Sequence, residues 1–404
     1  MTIPSIGSPS GVSATTCGYC SPPGKRSSAK SAVHAAGLRA NQLSCEVYQK
    51  MIDRGWRRSG TWCYKPDLKA SCCPSYTIKL DAHNFKPSKS QRKLVNRWNR
   101  FVLRGNQAES KPSKSKEPTF SLSNAIHAAE VSFSPTEARE HRFETILEPS
   151  SYSLEKFELY RKYQKDIHND SGCTPSHFKR FLVDSPLIPA PIPYPSPPPS
   201  HLPANYGSYH QLYKCDGELF AMGVIDILSS CVSSVYLLYD PAWKEYSLGK
   251  LSALREISLA AEIRAAGVPG MNWLYMGFFI YSCPKMRYKG DYAPSYLADP
   301  ETYIWFPLEV CLPLLEKNRY ACFSQPDHSS ALPSTSMEID EPPRPSDDVL
   351  SKVHIVNGIE DNKIIVIPAN KSPYWNTQDI RSDILGCIAG LGEALAQEII
   401  FYLG

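Results

Sequence analysis

The sequence predicts an α+β protein: a small cysteine-rich N-terminal domain followed by a larger mixed-sheet domain. Three observations carry that expectation. A Cys-x-x-Cys pair and a vicinal Cys-Cys pair both fall before Pro74. Strand-like apolar runs alternate with one helix-like run between residues 218 and 306. Low-complexity stretches then divide the 404-residue chain into blocks, each long enough to bury its own core.

The first stretch, residues 1–16, is rich in Ser, Pro and Gly and is expected to be disordered. It has neither the positive start nor the apolar core of a signal peptide, and no apolar run reaches the ~18 residues of a bilayer span. A cytoplasmic or nuclear protein without a membrane partner is expected, so the 13 cysteines are read as ligands, reactive thiols or core fillers before disulfides. A net charge of +4 is small for this size. No DNA partner is expected, and any nucleic-acid contact must come from clustered rather than global charge.

Residues 17–104 form the expected N-terminal domain. Cys17-Gly-Tyr-Cys20 is a knuckle whose turn brings two sulfurs within reach of one tetrahedral ion, and Cys72-Cys73-Pro74 supplies two more thiols, with Pro74 imposing a kink. The plain alternative is a surface turn and two half-buried core thiols. Lys89 to Arg104 has helical spacing: Leu94, Trp98, Phe101 and Val102 share one face, while Lys89, Lys93, Arg97, Arg100 and Arg104 share another. That cationic face suits a polyanion, and its alternative is a solvated helix surface. Arg54, Arg57 and Arg58 around Trp56 make a second candidate patch, and its alternative is that part of it supports the candidate metal site.

Residues 105–135 are expected to be a linker, with Lys, Ser, Pro and Glu and no apolar period near its start. The expected domain from 136 to 323 begins with a helix capped by Ser153 and a second starting at Thr174-Pro175. In its proline-rich insertion, residues 186–203, nine of eighteen residues are proline, which calls for extended chain looping out of the fold. Strands follow at 218–228 and 233–239. Ser247 opens a helix with Leu251, Leu254, Ile257 and Ala261 on its core face, and strands at 272–280 and 302–306 come next. Residues 324–352 read as a disordered acid-rich insertion, and 353–404 as a segment returning to the larger domain. Strand, strand, helix, strand, loop, strand is the order of a GNAT-like acyltransferase domain.

The apolar strand ending at Ile280 opens into Tyr281-Ser-Cys-Pro-Lys-Met-Arg-Tyr-Lys-Gly290, where Pro284 and Gly290 break the strand and Lys285, Arg287 and Lys289 gather at its end. This segment resembles the signature of the arginyl-tRNA-protein transferases. So do Cys17-Gly-Tyr-Cys20, residues 48–60, Cys72-Cys-Pro74, Phe157 to Gln164, Ser176 to Leu182, Ser233 to Tyr236, Tyr239-Asp-Pro241 and Ser247-Leu-Gly249. The resemblance covers residues 17–104, about 142–323 and, more faintly, 376–403; the two insertions depart from it. It implies transfer of arginine from arginyl-tRNA to proteins with N-terminal Asp, Glu or oxidised Cys, a role in N-degron formation, and no soluble cofactor beyond the charged tRNA. It also implies zinc or an iron-sulfur cluster at Cys17, Cys20, Cys72 and Cys73, and four thiolates suit either.

Arginine esterified to tRNA is already activated, so the enzyme needs no nucleophile of its own. Asp226 or Glu256 is the candidate partner for the arginyl cation. Arg287, with Lys285 or Lys289, is the candidate grip on an acidic N-terminus. The helix start at Ser247, Gly249 and Lys250 is the candidate rest for tRNA phosphates. Tyr288, Tyr275 or a water on Asp226 is the candidate proton handler. The bland readings are a turn-capping Asp226, a surface-paired Glu256 and a core Tyr275. Two rival functions remain: an acetyl-CoA-dependent acetyltransferase, whose phosphate-loop motif residues 245–252 do not fit, and a non-catalytic metal-containing tRNA-binding protein.

Overall fold

The computed structural model describes residues 3–22, 25–105, 120–135, 138–332, 344–361 and 363–403. The architecture is α+β, and the chain forms two compact units. One comprises Met1–Lys79, Asp184–Ala190 and Gly277–Gly404, the other Leu80–Val183 and Pro191–Met276.

The first unit is built on a mixed sheet. Its strands run in the order Lys363–Pro368, His354–Glu360, Ile399–Phe401, Ser5–Ser10, Ala32–Ser44, Trp62–Pro66 and Arg57–Ser59. Ser5–Ser10 pairs parallel with Ile399–Phe401 and antiparallel with the long strand Ala32–Ser44. Residues 1–16 are therefore not a disordered arm where they are described: Ser5, Ile6 and Gly7 are buried and Ser13–Thr15 adds a further strand. Their Ser, Pro and Gly content concealed a strand whose partners lie far along the chain. Residues 353–404 also pack here, on the cysteine-bearing unit. Trp56 donates its indole N–H to the Gly390 carbonyl at 3.0 Å, and Cys387 Sγ reaches the Gly37 carbonyl at 3.0 Å.

The second unit carries the antiparallel strands Phe143–Pro149, Asn205–Cys215, Glu218–Ile227 and Cys231–Tyr239 in sheet order. Cys231 to Ser233 then pair parallel with Trp273 to Tyr275. The parallel step requires a crossover, and the helix Leu248–Ala265 supplies it. Expected to show one core face, this helix is buried continuously from Ser252 to Ala260, so Arg255 and Glu256 are interior residues. The helix Leu154–His168 begins at Ser153, whose hydroxyl accepts from the Lys156 N–H, and sets Phe157 and Tyr160 against Met222, Val224 and Leu238.

The helix Lys89–Arg104 clusters with this second unit rather than with the cysteines, because Trp98 and Val102 pack on Phe143, Phe220 and Leu248. Of the expected 105–135 linker, residues 106–119 lie outside the described residues. The rest is structured: Leu122–His127 is helical, Ile126 is buried, and buried Glu130 pairs with Arg255. In the expected 324–352 insertion, 333–343 lie outside the described residues and Asp347–Lys352 is a helix capped by Ser346. The proline-rich chain is extended but does not loop out. Leu187–Ile188 pairs with Leu43–Ser44, the Ile192 N–H donates to the Ala204 carbonyl, and Tyr194 Oη donates to the Pro203 carbonyl at 3.0 Å. Among the described residues no helix is long and apolar enough to cross a membrane.

Candidate active site and cysteine centre

Cys17, Cys20, Cys72 and Cys73 converge, with all four sulfurs within 4.8 Å of one another. The Cys20 and Cys72 sulfurs are 3.8 Å apart, and four sulfurs at the corners of a tetrahedron about 2.3 Å from one ion stand about 3.8 Å apart. Their spacing therefore fits a single tetrahedral metal. The chain tightens this arrangement locally. Cys17 N–H donates to Ser27 Oγ at 2.7 Å, Cys72 N–H donates to the Ser31 carbonyl at 2.9 Å, and Tyr19 N–H reaches Cys17 Sγ at 3.3 Å. Burial pushes the Cys17 thiol up, but the Tyr19 and Cys20 backbone N–H groups together with the Cys72 and Cys20 thiols outweigh it and lower its pKa. Burial raises that of Cys73.

The same thiols form one face of a small apolar cluster with Ile280 and Cys283, against which Met286 packs. The cysteine centre thus sits directly beneath the loop that the sequence singled out. Pro284–Arg287 is a single helical turn, followed by the 3-10 turn Tyr288–Asp291. Lys285 and Arg287 are exposed, and the Arg287 guanidinium lies 5.0 Å from the Tyr281 ring centre. Lys289 turns back instead: Nζ donates to the Phe278 carbonyl at 2.7 Å, and burial, with nearby Arg57, lowers its pKa to about 7. Tyr288 is half-buried.

Arg57 and Arg58 are interior, so the second cationic patch is not a surface feature. Arg57 donates to the Ile52, Trp56 and Gly277 carbonyls. Gly277, in the left-handed region at φ 69°, breaks the strand's regular pattern there, and a Cβ would lie 3.7 Å from Lys289 Nζ. Sequence reasoning also missed a pocket of about 170 Å³ in this unit, lined by Arg54, Lys65, Lys69 and Tyr303. Lys65 Nζ donates to Tyr303 Oη at 2.9 Å, and burial, then Arg54, holds its pKa well below the usual lysine range. The sequence signal for it is the Arg54-Gly-Trp-Arg-Arg run, expected only as a second cationic patch.

In the second unit the two candidate tRNA elements meet. Arg97 donates to the Glu245 carbonyl at 2.7 Å, beside the turn that leads into Ser247. Trp98 packs edge-on to Tyr246 at 5.3 Å between ring centres. Lys89, Lys93, Arg97, Arg100 and Arg104 are all exposed, as are Ser247 and Lys250; Gly249 is half-buried. Ser247 has φ 53° and its side chain makes no capping bond, leaving the helix start open to an anion.

Asp226 is fully buried in the sheet, directly opposite Ser208 and Ser233, and accepts from Ser208 Oγ at 2.7 Å. Glu256 is also buried. Ser252 Oγ donates to its Oε1 at 2.8 Å, Oε2 makes no hydrogen bond among the described residues, and burial raises its pKa to about 7 against the pull of Ser252 and Ser234. Glu256 is therefore an interior acid and not one half of a surface pair. Tyr275 is a core residue. Asp226 and Glu256 belong to the second unit, whereas Lys285, Arg287, Tyr288 and Lys289 belong to the first.

Residues 15–93 and 155–299 match the family models described as the N terminus and C terminus of arginine-tRNA-protein transferase. Among curated proteins, arginyl-tRNA–protein transferase 1 of Drosophila melanogaster is 34% identical, the alignment covering 75% of this chain and 82% of that protein. Its counterpart in Saccharomyces cerevisiae is 32% identical over 65% of this chain and 50% of that protein. The aspartate/glutamate leucyltransferase of Campylobacter jejuni is 26% identical over 62% and 80% respectively. The match defines an aminoacyltransferase, an enzyme that moves an amino acid from tRNA to a protein N-terminus. This chain belongs to the arginyl-tRNA–protein transferase family.

Proposed function

We propose that the group transferred is arginine, that the acceptor is the α-amine of a protein beginning with Asp, Glu or oxidised Cys, and that the product is an N-degron. The observation that carries the acceptor class is the pair of exposed cations, Lys285 and Arg287, held at a strand end by packing on the cysteine centre. A guanidinium there grips a carboxylate through two parallel hydrogen bonds. That the C. jejuni relative is an aspartate/glutamate leucyltransferase is in keeping with this reading.

Glu256, with one buried carboxylate oxygen unpartnered among the described residues, is the better of the two carboxylates for the arginyl cation, because a cation would satisfy that oxygen and return the group to its ionised form. Asp226 already accepts from Ser208. The exposed face of Lys89–Arg104 and the open start at Ser247, Gly249 and Lys250 take the tRNA backbone, and the parallel crossover around Leu248–Ala265 supports the GNAT-like reading. Cys17, Cys20, Cys72 and Cys73 would hold zinc or iron-sulfur, and the sulfur spacing favours one ion, which would brace the acceptor loop. The neutral α-amine attacks the ester carbonyl carbon, the carbon bond to the ribose oxygen breaks as the amide forms, and the proton lost by nitrogen is gained by that oxygen. Tyr288 stands in the acceptor loop for the proton's transit.

Incubation with radiolabelled arginyl-tRNA and peptides beginning Asp, Glu, cysteate or Ala tests this. Labelling of the first three but not the last is expected; equal labelling of all four would reject the acceptor assignment. Labelling from acetyl-CoA, or none at all, would favour one of the two rival functions.

A further inference from the structure

We infer that the second unit holds a separate site for a zinc-type divalent transition ion, with His127, His201 and Glu262 as its ligands. These residues come from three distant stretches: the end of the helix Leu122–His127, the proline-rich chain, and the last turn of the helix Leu248–Ala265. Their donor atoms lie within 4.8 Å of one another. His127 Nε2 is 3.1 Å from both Glu262 oxygens, and His201 Nε2 is 2.8 Å from Oε2. Nitrogen and oxygen ligands about 2.0–2.1 Å from a tetrahedral ion stand about 3.3 Å apart, so both nitrogen-to-oxygen spacings need widen only slightly to admit the ion.

The surroundings orient the ligands as a metal site requires. His127 Nδ1 is 3.0 Å from Glu130 Oε1, and Glu130 is itself held by Arg255 and by Thr145 Oγ1 at 2.7 Å. A carboxylate behind an imidazole fixes the ring and leaves the other nitrogen facing the ion. The Phe133 ring stacks on His127 with centres 3.7 Å apart, and Ser258 Oγ donates to Glu262 Oε1. With its Nδ1 proton given to Glu130, His127 presents Nε2 to a second carboxylate, which demands a positive charge between them: a proton on the ring, or a cation. Two carboxylates against one Arg255 leave the place net negative with neutral imidazoles. A pocket of about 530 Å³ lined by Ser123, Asn124, Phe133 and Ser134 adjoins the cluster and gives room for a water as fourth ligand. Ion binding displaces the Nε2 protons, so it releases protons and weakens in acid. Its consequence is a staple joining the proline-rich chain to the main helix.

The test uses the full chain, stripped by chelation and titrated with cobalt(II), with total metal counted by mass spectrometry. Thiolate ligation gives sulfur-to-cobalt charge-transfer absorption, whereas two imidazoles and a carboxylate give only weak ligand-field bands, so the two centres are read separately. The expectation is one equivalent without sulfur absorption, lost in His201→Ala and in Glu262→Gln while the thiolate signal is unchanged. His201→Ala alters a part-exposed side chain, so thermal unfolding will verify that the variant folds. Glu130→Gln should weaken the same equivalent by about 10- to 100-fold. An absence of any non-thiolate equivalent in the wild type, or one that survives His201→Ala, would overturn the site and leave an ion-free network with the proton on His127.

Discussion

The two units meet charge by opposite means. In the cysteine-bearing unit the cations around the acceptor loop are individually fixed: Arg57 and Arg58 are buried, Lys289 is turned onto a backbone carbonyl, and Lys285 and Arg287 stand on one turn of helix wedged by Met286 against the thiols. In the other unit, five cations lie exposed along one helix whose opposite face is fastened by Trp98 and Val102. A small carboxylate needs directed donors at a defined place, whereas a nucleic-acid backbone needs charge spread along its path. Acceptor recognition should accordingly depend on the thiols and be specific, and tRNA recognition should depend on salt and be diffuse.

The sharpest way to break this contrast is to remove a thiol. Cys17→Ser should empty the cysteine centre and lower transfer to acidic peptides by about 100-fold or more, with tRNA affinity within about twofold of the wild type. Metal content, steady-state kinetics and filter binding measure the three quantities. Equal loss of tRNA affinity would show that the centre supports the whole molecule and not the acceptor loop.

Arg287→Ala comes next. Loss of one charge-assisted grip of about 1.5–3 kcal/mol predicts a fall in kcat/KM for Asp- and Glu-peptides of about 10- to 150-fold, without change in tRNA binding. If Lys285→Ala gives the larger effect, the grip is misassigned within the loop. Smaller again is the double variant Lys93→Ala, Arg100→Ala. It should reduce the slope of log affinity for tRNA against log salt by about 1.5 to 2 while peptide KM stays constant.

How far each feature could be read from sequence follows the range of the interactions behind it. Ser153 and the knuckle at Cys17 act within a few residues, so the helix start and the turn were legible. So was the strand that ends before Pro284. Ser5 to Ser10 is a strand only because Ile399 to Phe401 and the stretch around Leu38 flank it, and nothing local announces that. The helix Leu248–Ala265 lost its apolar stripe for a related reason: protein surrounds it, so Arg255 and Glu256 are interior and periodicity stops reporting depth. The placement of His201 beside His127 was hidden inside a proline-rich segment that composition marks only as extended.

The smallest effect, and the one that separates a binding group from a structural one, belongs to Glu256. Its folded pKa of about 7 stands above the ordinary 4.5, so folding favours the protonated form. The associated stability is complete below pH 4.5, declines as the pH rises from there, and is gone above about 7, where the folded chain must bury a charge. Glu256→Gln keeps the hydrogen bond from Ser252 Oγ and cannot ionise. Its Tm should match the wild type at about pH 4.5 and exceed it by a few degrees at about pH 8. If Glu256 also holds the arginyl cation, the same variant must lose transfer at the higher pH, where its stability gain is greatest. Greater stability with undiminished transfer would leave Glu256 a buried acid of the core and return the cation to Asp226.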